Sequence, residues 1–279
     1  MGFELDLDEY ERLTDLIYRK AGIRFENKKF YFLSKRVQKR MESTGMDTPS
    51  EYVRFLRFRD RDGSEMQSLL NLLTINETYF FRDFPQLQAF AEHSLQEVLQ
   101  RKAAKGDRRL RIWSAGCSSG EEPYTLAIIC LEMIEDLNHW DVEILATDID
   151  EIVLKRARVA AYSERSVKDV PREYLMRYFD TRSNGTFYLA REVKRMVRFE
   201  HLNLFDKNRL REKGGFDFIF CRNVLIYFDD VSRKQVVDHF YVALNSGGYI
   251  FLGSSESAGR ITTAFKVKKA GDYLVYFKG

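Results

Sequence analysis

Cysteine is scarce. The 279 residues hold three, Cys117, Cys130 and Cys221, an odd number without Cys-x-x-Cys spacing. That suggests neither a disulfide framework nor a zinc site, so no metal is expected and the compartment is a reducing one. No uncharged run approaches the roughly 18 residues of a membrane span, and the acidic opening MGFELDLDEYER lacks the apolar centre of a signal peptide. The expectation is a soluble, cytoplasmic protein without direct membrane insertion. Strong charge of one sign is missing as well. A net charge of +3 and a pI of about 8.6 are too mild to imply nucleic acid on bulk charge. Internal repeats and low-complexity segments are absent. The length allows one large or two modest domains, and a two-domain split is expected.

Residues 1–84 read as helices without strands. Asp6 or Asp8 caps a helix carrying Tyr10, Leu13, Ile17 and Tyr18 at helical spacing, and Gly22 ends it. A second helix, from about Asn27 to Ser43, sets Phe30, Leu33, Val37 and Met41 on one side. Lys28, Lys35, Arg36 and Lys39 project from the other, with Lys29 and Arg40 on its flank. From Arg19 through Arg40 the only acid is Glu26. This face is either an ordinary solvated surface or a steering surface for an acidic partner. Alternating charges around Tyr52, Val53, Phe55, Leu56 and Phe58 give another amphipathic helix, and a further apolar stretch runs from Met66 to Leu73. The segment Asn76-Glu-Thr-Tyr-Phe-Phe-Arg-Asp83 mixes aromatic bulk with polar tips. The expectation is either a segment lining a pocket between domains or a capped core segment, with Thr74 or Asn76 as helix cap and Phe80 and Phe81 as filler. A linker helix occupies about 85–108 and ends in a charged run.

The run Leu110–Tyr124, LRIWSAGCSSGEEPY, reads as a buried strand, a glycine turn and the start of a helix. It is not a GxGxxG fingerprint, since Ser118 stands where the second glycine would fall. A pyrophosphate at that helix N-terminus would be repelled by Glu121 and Glu122, whereas a cationic ligand would be welcome. S-adenosylmethionine (SAM), with an ammonium, a sulfonium and no phosphate, fits better than NAD or ATP. The alternative is that both glutamates favour the helix N-terminus and point into water. Val142–Thr147 is a second strand running into Asp148-Ile149-Asp150, where one acid grips a ribose hydroxyl pair and the other caps the next helix; Asp148 is preferred for the ribose and Asp150 for the cap, with the exchange of roles as the alternative.

Residues 162–196 interrupt the alternation of strand and helix and read as a small insertion with a hairpin around Asn184-Gly185. Val197–Leu204 and Phe216–Cys221 are further strands. A helix from about Ser232, a strand Tyr249–Gly253 and a hairpin turned at Ala270-Gly271-Asp272 close the chain. The whole reads as an α/β, doubly wound, Rossmann-like sheet with an antiparallel edge and a small β-subdomain insertion, preceded by an all-α domain. The expected domains are 1–84, the linker helix 85–108, and 109–279.

Four motifs stand together: NETYFFRD at 76–83, WSAGCSSGEEPYTLA at 113–127, ATDID at 146–150 and FDFIFCRNVLIYFD at 216–229. Their order and spacing resemble the CheR family of chemoreceptor glutamate methyltransferases over nearly the whole chain. The resemblance implies methyl transfer from SAM to glutamate side chains on the cytoplasmic helical domain of a chemoreceptor, giving methyl esters and S-adenosylhomocysteine (SAH). By motif position it places SAM contacts on Asn76, Thr78, Arg82, Glu122, Asp148, Asn203, Leu204, Arg222 and Asn223, beside Gly116 of the turn. It places catalysis on Arg82 and Tyr227. The basic face of the second helix, not a motif, supplies the expected receptor-binding set Lys28, Lys35, Arg36, Lys39 and Arg40. The insertion resembles the family's small β-subdomain, which in some members docks a receptor C-terminal pentapeptide. A carboxylate acceptor is already ionised at neutral pH and needs no general base. The Asn-Pro-Pro-Tyr run of many nitrogen methyltransferases is absent, since Asn223 is followed by Val-Leu-Ile-Tyr. No nucleic-acid partner is expected, and the protein is expected to be monomeric. Two rival readings remain: a SAM-binding regulatory module, and a methyltransferase for RNA or another protein.

Overall fold

The structure, a computed structural model, describes residues 5–183 and 185–279, with backbone alone at 259 and 260. It divides into two compact units, Met1–Ile75 with Tyr227–Ser232, and Asn76–Ile226 with Arg233–Gly279.

The first unit contains four helices among the described residues: α1 (Leu7–Ala21), α2 (Phe30–Thr44), α3 (Pro49–Phe58) and α4 (Ser64–Leu73). Asp6 starts α1 with a capping box, its carboxylate accepting from Glu9 N–H while Glu9 accepts from Asp6 N–H. Gly22, at φ 70°, stops the helix. The apolar stripes of the four helices meet in a core of Tyr10, Leu13, Ile17, Leu33, Val37, Tyr52 and Leu69, each buried. The returning segment 227–232 belongs here through an antiparallel bridge, Ile23 to Phe228, and through Tyr18, whose hydroxyl donates to Asp229 at 3.0 Å.

In the second unit the strands are β1 (Arg109–Ala115), β2 (Asp141–Asp148), β3 (Ala161–Tyr162), β4 (Phe179–Thr181), β5 (Phe187–Leu189), β6 (Val197–His201), β7 (Phe216–Cys221), β8 (Leu244–Leu252), β9 (Lys266–Ala270) and β10 (Tyr273–Phe277). The main sheet has the order β6-β2-β1-β7-β8-β10-β9. Its first five strands are parallel, and β10 and β9 form the antiparallel edge anticipated from the terminal hairpin. The chain reverses direction of travel at β1, so the carboxyl ends of β1, β2 and β7 form the crevice where doubly wound sheets bind ligands. The glycine turn leads into α7 (Glu121–Met133), which is buried nearly all round. The insertion is a separate three-stranded sheet, β3-β5-β4. Its β4–β5 hairpin forms as expected, although Asn184 of the turn signal lies outside the described residues.

Two details differ from the sequence reading. Segment 76–84 joins the sheet unit and not the helical one. Phe80 and Phe81 are buried in the sheet unit's core, Phe80 N–H donates to Ser166 O, and Phe81 N–H to Thr125 Oγ1. The linker helix is also less regular than its periodicity predicts. It runs as α5 (Phe84–Ala89), a π-turn over Phe90–Ser94, and α6 (Leu95–Ala103). The π-turn carries Phe90, whose ring meets Phe218 and Phe220 edge-on at 5.0 and 5.1 Å. This helix is therefore core of the sheet unit, its own Leu87, Leu95 and Val98 being buried there with Phe90.

Candidate active site

At the end of β1 the chain must turn sharply without filling the crevice. Gly116 takes φ 82°, and a Cβ there would overlap Val224 Cγ2. Gly116 and Cys117 both donate to Thr147 O, which locks the turn onto β2. Ser118, at φ 49°, then points its N–H at Asp148 Oδ2, 2.8 Å away.

Asp148 is 7 % exposed at the tip of β2, and its Oδ1 accepts from Asp150 N–H at 2.9 Å. Burial pushes its carboxyl up to about 6 against the pull of these N–H donors. Asp150 caps α8 (Glu151–Val159) through Ile152 and Val153 N–H, as anticipated. Its second oxygen accepts from Asn76 Nδ2 at 2.8 Å. Asn76 thus fastens the NETYFFRD segment to the ATDID segment, a pairing that neither motif reveals alone.

Glu122 opens the first turn of α7. Ser114 Oγ donates to its Oε1 at 2.7 Å, and Arg222 Nη1 lies 3.2 Å from Oε2. Burial raises the Glu122 carboxyl, opposed first by the Arg222 charge and more weakly by Arg82. Arg222 follows β7 and is itself 4 % exposed, its Nη2 donating to Arg82 O at 2.6 Å and Asp83 Oδ2 at 2.8 Å. Glu122 therefore does not face water as one reading allowed. Glu121 is buried too, accepting from Ser119 Oγ, and burial raises its carboxyl.

Arg82 is half-buried, donates to Glu77 O at 2.8 Å, and has no carboxylate within ion-pair distance among the described residues. Thr78 is half-buried in the irregular segment between α4 and Phe80. Asn203 and Leu204 lie just past β6, where Leu202 N–H donates to Asp148 O and Asn203 Oδ1 accepts from Phe205 N–H. Asn223 takes φ 61° past β7. Four of the six described non-glycine residues at positive φ, Phe81, Asp83, Ser118 and Asn223, fall on these converging segments. Such conformations persist where surrounding contacts hold them, as functional sites do. In the sheet unit the predicted residues fall into separate hydrogen-bonded groups: Asn76 with Asp150 and Asp148, the Arg82 carbonyl and Glu122 with Arg222, Gly116 with Thr147, and Asn223 with Glu256. Tyr227 belongs to the helical unit, with its hydroxyl 3.4 Å from Ile75 O.

The family profile described as "CheR methyltransferase, SAM binding domain" matches residues 76–274, and "CheR methyltransferase, all-alpha domain" matches 8–74. The chain belongs to the CheR methyltransferase family. Chemotaxis protein methyltransferase 2 of Vibrio cholerae is 42 % identical over 97 % of this chain and 92 % of its own length. A chemotaxis protein methyltransferase of Borreliella burgdorferi is 33 % identical over 92 % of this chain and 90 % of its own. One of Escherichia coli is 32 % identical over 93 % and 87 %. CheR-family chemistry is SAM-dependent methylation, and the donor set fits that cofactor. The crevice offers the carboxylates of Asp148 and Glu122, while the buried guanidinium of Arg222 is already committed to carboxylates. That suits a cationic ligand without phosphate.

The cationic residues of the helical unit separate into two groups. Lys35 lies 4.5 Å from the Tyr31 ring centroid, and the Arg36 guanidinium 3.7 Å from that of Phe32. Lys39 is exposed, and Lys28 pairs with Glu26 at 2.6 Å. Arg40 turns inward instead. It makes a two-pronged bond to Glu65 at 2.9 and 2.6 Å, and Tyr52 donates to the same carboxylate. Its charge serves the helical core and not a surface. Glu256 and Asp83, absent from the sequence-based set, also enter the site network; single acids in loops carry no periodicity that would mark them. No described helix is long and apolar enough to cross a membrane, and the described residues hold no cluster of three metal-ligating side chains.

Proposed function

We propose that this protein transfers the methyl group of SAM to glutamate side-chain carboxylates on the cytoplasmic helical domain of bacterial chemoreceptors, giving glutamate methyl esters and SAH for sensory adaptation. The observation that carries the proposal is the division of labour between two arginines. Arg222 is spent on Glu122 and Asp83, whereas Arg82, near enough to influence Glu122, has no carboxylate partner among the described residues. A guanidinium without a carboxylate partner beside a methyl-donor site suits an acidic acceptor.

Asp148 would hold the ribose hydroxyls, Glu122 the cationic end, and Asn76, Thr78, Asn203, Leu204, Arg222 and Asn223 would complete the cofactor site around Gly116. SAM supplies an electrophilic methyl on a sulfonium. Arg82 orients the incoming carboxylate by paired N–H donors, and Tyr227 is the second residue proposed for catalysis. Because that carboxylate is ionised at neutral pH, the protein needs no proton acceptor. Lys28, in the turn just before α2, and Lys35, Arg36 and Lys39 on α2 steer acidic receptor helices, with the flat rings of Tyr31 and Phe32 beneath Lys35 and Arg36. The protein acts in the cytoplasm, recruited to membrane-embedded receptors.

The test is a filter assay with labelled SAM and receptor-containing membranes. Label on receptor protein is expected; no transfer, or label in RNA, would end the proposal. Arg82→Ala should lower turnover about 100-fold through lost alignment while SAH binding stays measurable. Parallel loss of binding and rate would remove Arg82 from catalysis. Reversing Lys35 and Arg36 to glutamate should raise KM for receptor about tenfold at low salt and leave SAH affinity alone. An unchanged KM would return that face to ordinary surface.

A further inference from the structure

Beyond the adjacent ends of β7 and β8, one carboxylate ties two loops together. Cys221 and Leu252 are the last register partners of these parallel strands. Past them Glu256 reaches back, its Oε2 accepting Asn223 N–H at 2.9 Å and Gly253 N–H at 2.7 Å. Its own N–H donates to Gly253 O, closing a turn. The approach is close: a Cβ on Gly253 would lie 2.8 Å from that Oε2 and 2.9 Å from Asn223 N. Only glycine leaves room for the carboxylate between the loops.

The consequence reaches the cofactor site. Asn223 sits in the left-handed region, which costs energy unless something holds it, and Glu256 accepts its N–H there. The next residue, Val224, fills the space over Gly116 that a Cβ would need. Glu256 thus sets Asn223 directly and, through Val224, one wall of the glycine turn. Its Oε1 is buried with no described partner, so the held geometry rests on Oε2.

We infer that Glu256 is a positioning residue for SAM: it contacts no ligand but fixes the Asn223–Val224 turn in the shape the cofactor requires. The inference rests on the SAM site described above. Calorimetric titration of the full-length protein with SAH tests it, alongside thermal melting. Glu256→Ala should weaken SAH binding about 30-fold, the loss expected when hydrogen bonds to a charged group are removed from a strained turn. Glu256→Gln keeps an acceptor oxygen and should stay within about threefold of wild type. Gly253→Ala, which crowds the carboxylate without deleting it, should copy Glu256→Ala and covers the case in which that variant fails to fold. Wild-type affinity in Gly253→Ala or Glu256→Ala, with a lowered Tm as the only change, would overturn the inference by making the clip merely structural. Glu256→Gln binding as weakly as Glu256→Ala would overturn it too. Failure of wild-type protein to bind SAH would instead strike the cofactor site itself.

Discussion

Exchange of Arg222 for methionine should cost about 3–5 kcal/mol of stability and remove SAH binding. The guanidinium is 4 % exposed and joins Glu122, Asp83 and the Arg82 carbonyl, three groups on two different segments. Removing it strands the Glu122 carboxylate, which burial already pushes up and which the Arg222 charge does most to hold down. At roughly 3 °C per kcal/mol for a unit of this size, urea and thermal melts should show a Tm lower by about 10 °C. The sign with pH follows. A buried acid whose carboxyl rises further in the variant destabilises the fold when ionised, so the deficit should shrink as pH falls and Glu122 takes a proton. Adding Glu122→Gln should recover part of the loss. A variant as stable as wild type at neutral pH, or a deficit that grows towards acid, would mean that the Arg222 network does not hold the site.

The second large effect belongs to Asp148. Its carboxyl is pushed up to about 6 by burial, and the ionised form is the one that accepts two ribose hydroxyls. SAH affinity should therefore fall about tenfold between pH 7 and pH 5. Asp148→Ala should bind about 100-fold more weakly at neutral pH, from two charge-assisted bonds lost, and should show little of this acid dependence. Unliganded stability should move the opposite way. Between the usual carboxylate value and about 6 the folded protein holds more protons than the unfolded chain, so the Asp148 contribution rises as pH falls through that window, by about 3 kcal/mol in total. Affinity and unliganded stability diverging with acid would be the signature of this residue. Affinity independent of pH in wild type would remove it from the ribose role.

Much of this site was legible because local pattern determines local structure. The strand, glycine turn and acidic helix start at 110–124 depend on neighbours in sequence, and so does the Asp150 cap. What pattern could not supply was pairing across distance. Glu122 finds Arg222 a hundred residues on, Asn76 finds Asp150, and Glu256 finds Asn223. Arg40 shows the limit most plainly. Helical geometry puts it on the flank of a basic face, yet Glu65 from α4 takes its guanidinium, because a buried carboxylate needs a partner more than a surface needs another cation. In the NETYFFRD segment the core reading holds for Phe80 and Phe81, while the reach of Asn76 to Asp150 has no signature in either motif. The π-turn at 90–94 has no sequence signature, since one extra residue in a turn leaves the apolar period nearly unchanged.

The central claim is that the methyl group goes to a carboxylate oxygen, and the identity of the bond made tests it most directly. After turnover with labelled SAM and receptor-containing membranes, mild alkali should release the label as methanol, and peptide mass spectrometry before release should place it on receptor glutamates. Label that survives alkali, on lysine or arginine nitrogen or on nucleic acid, would contradict the account.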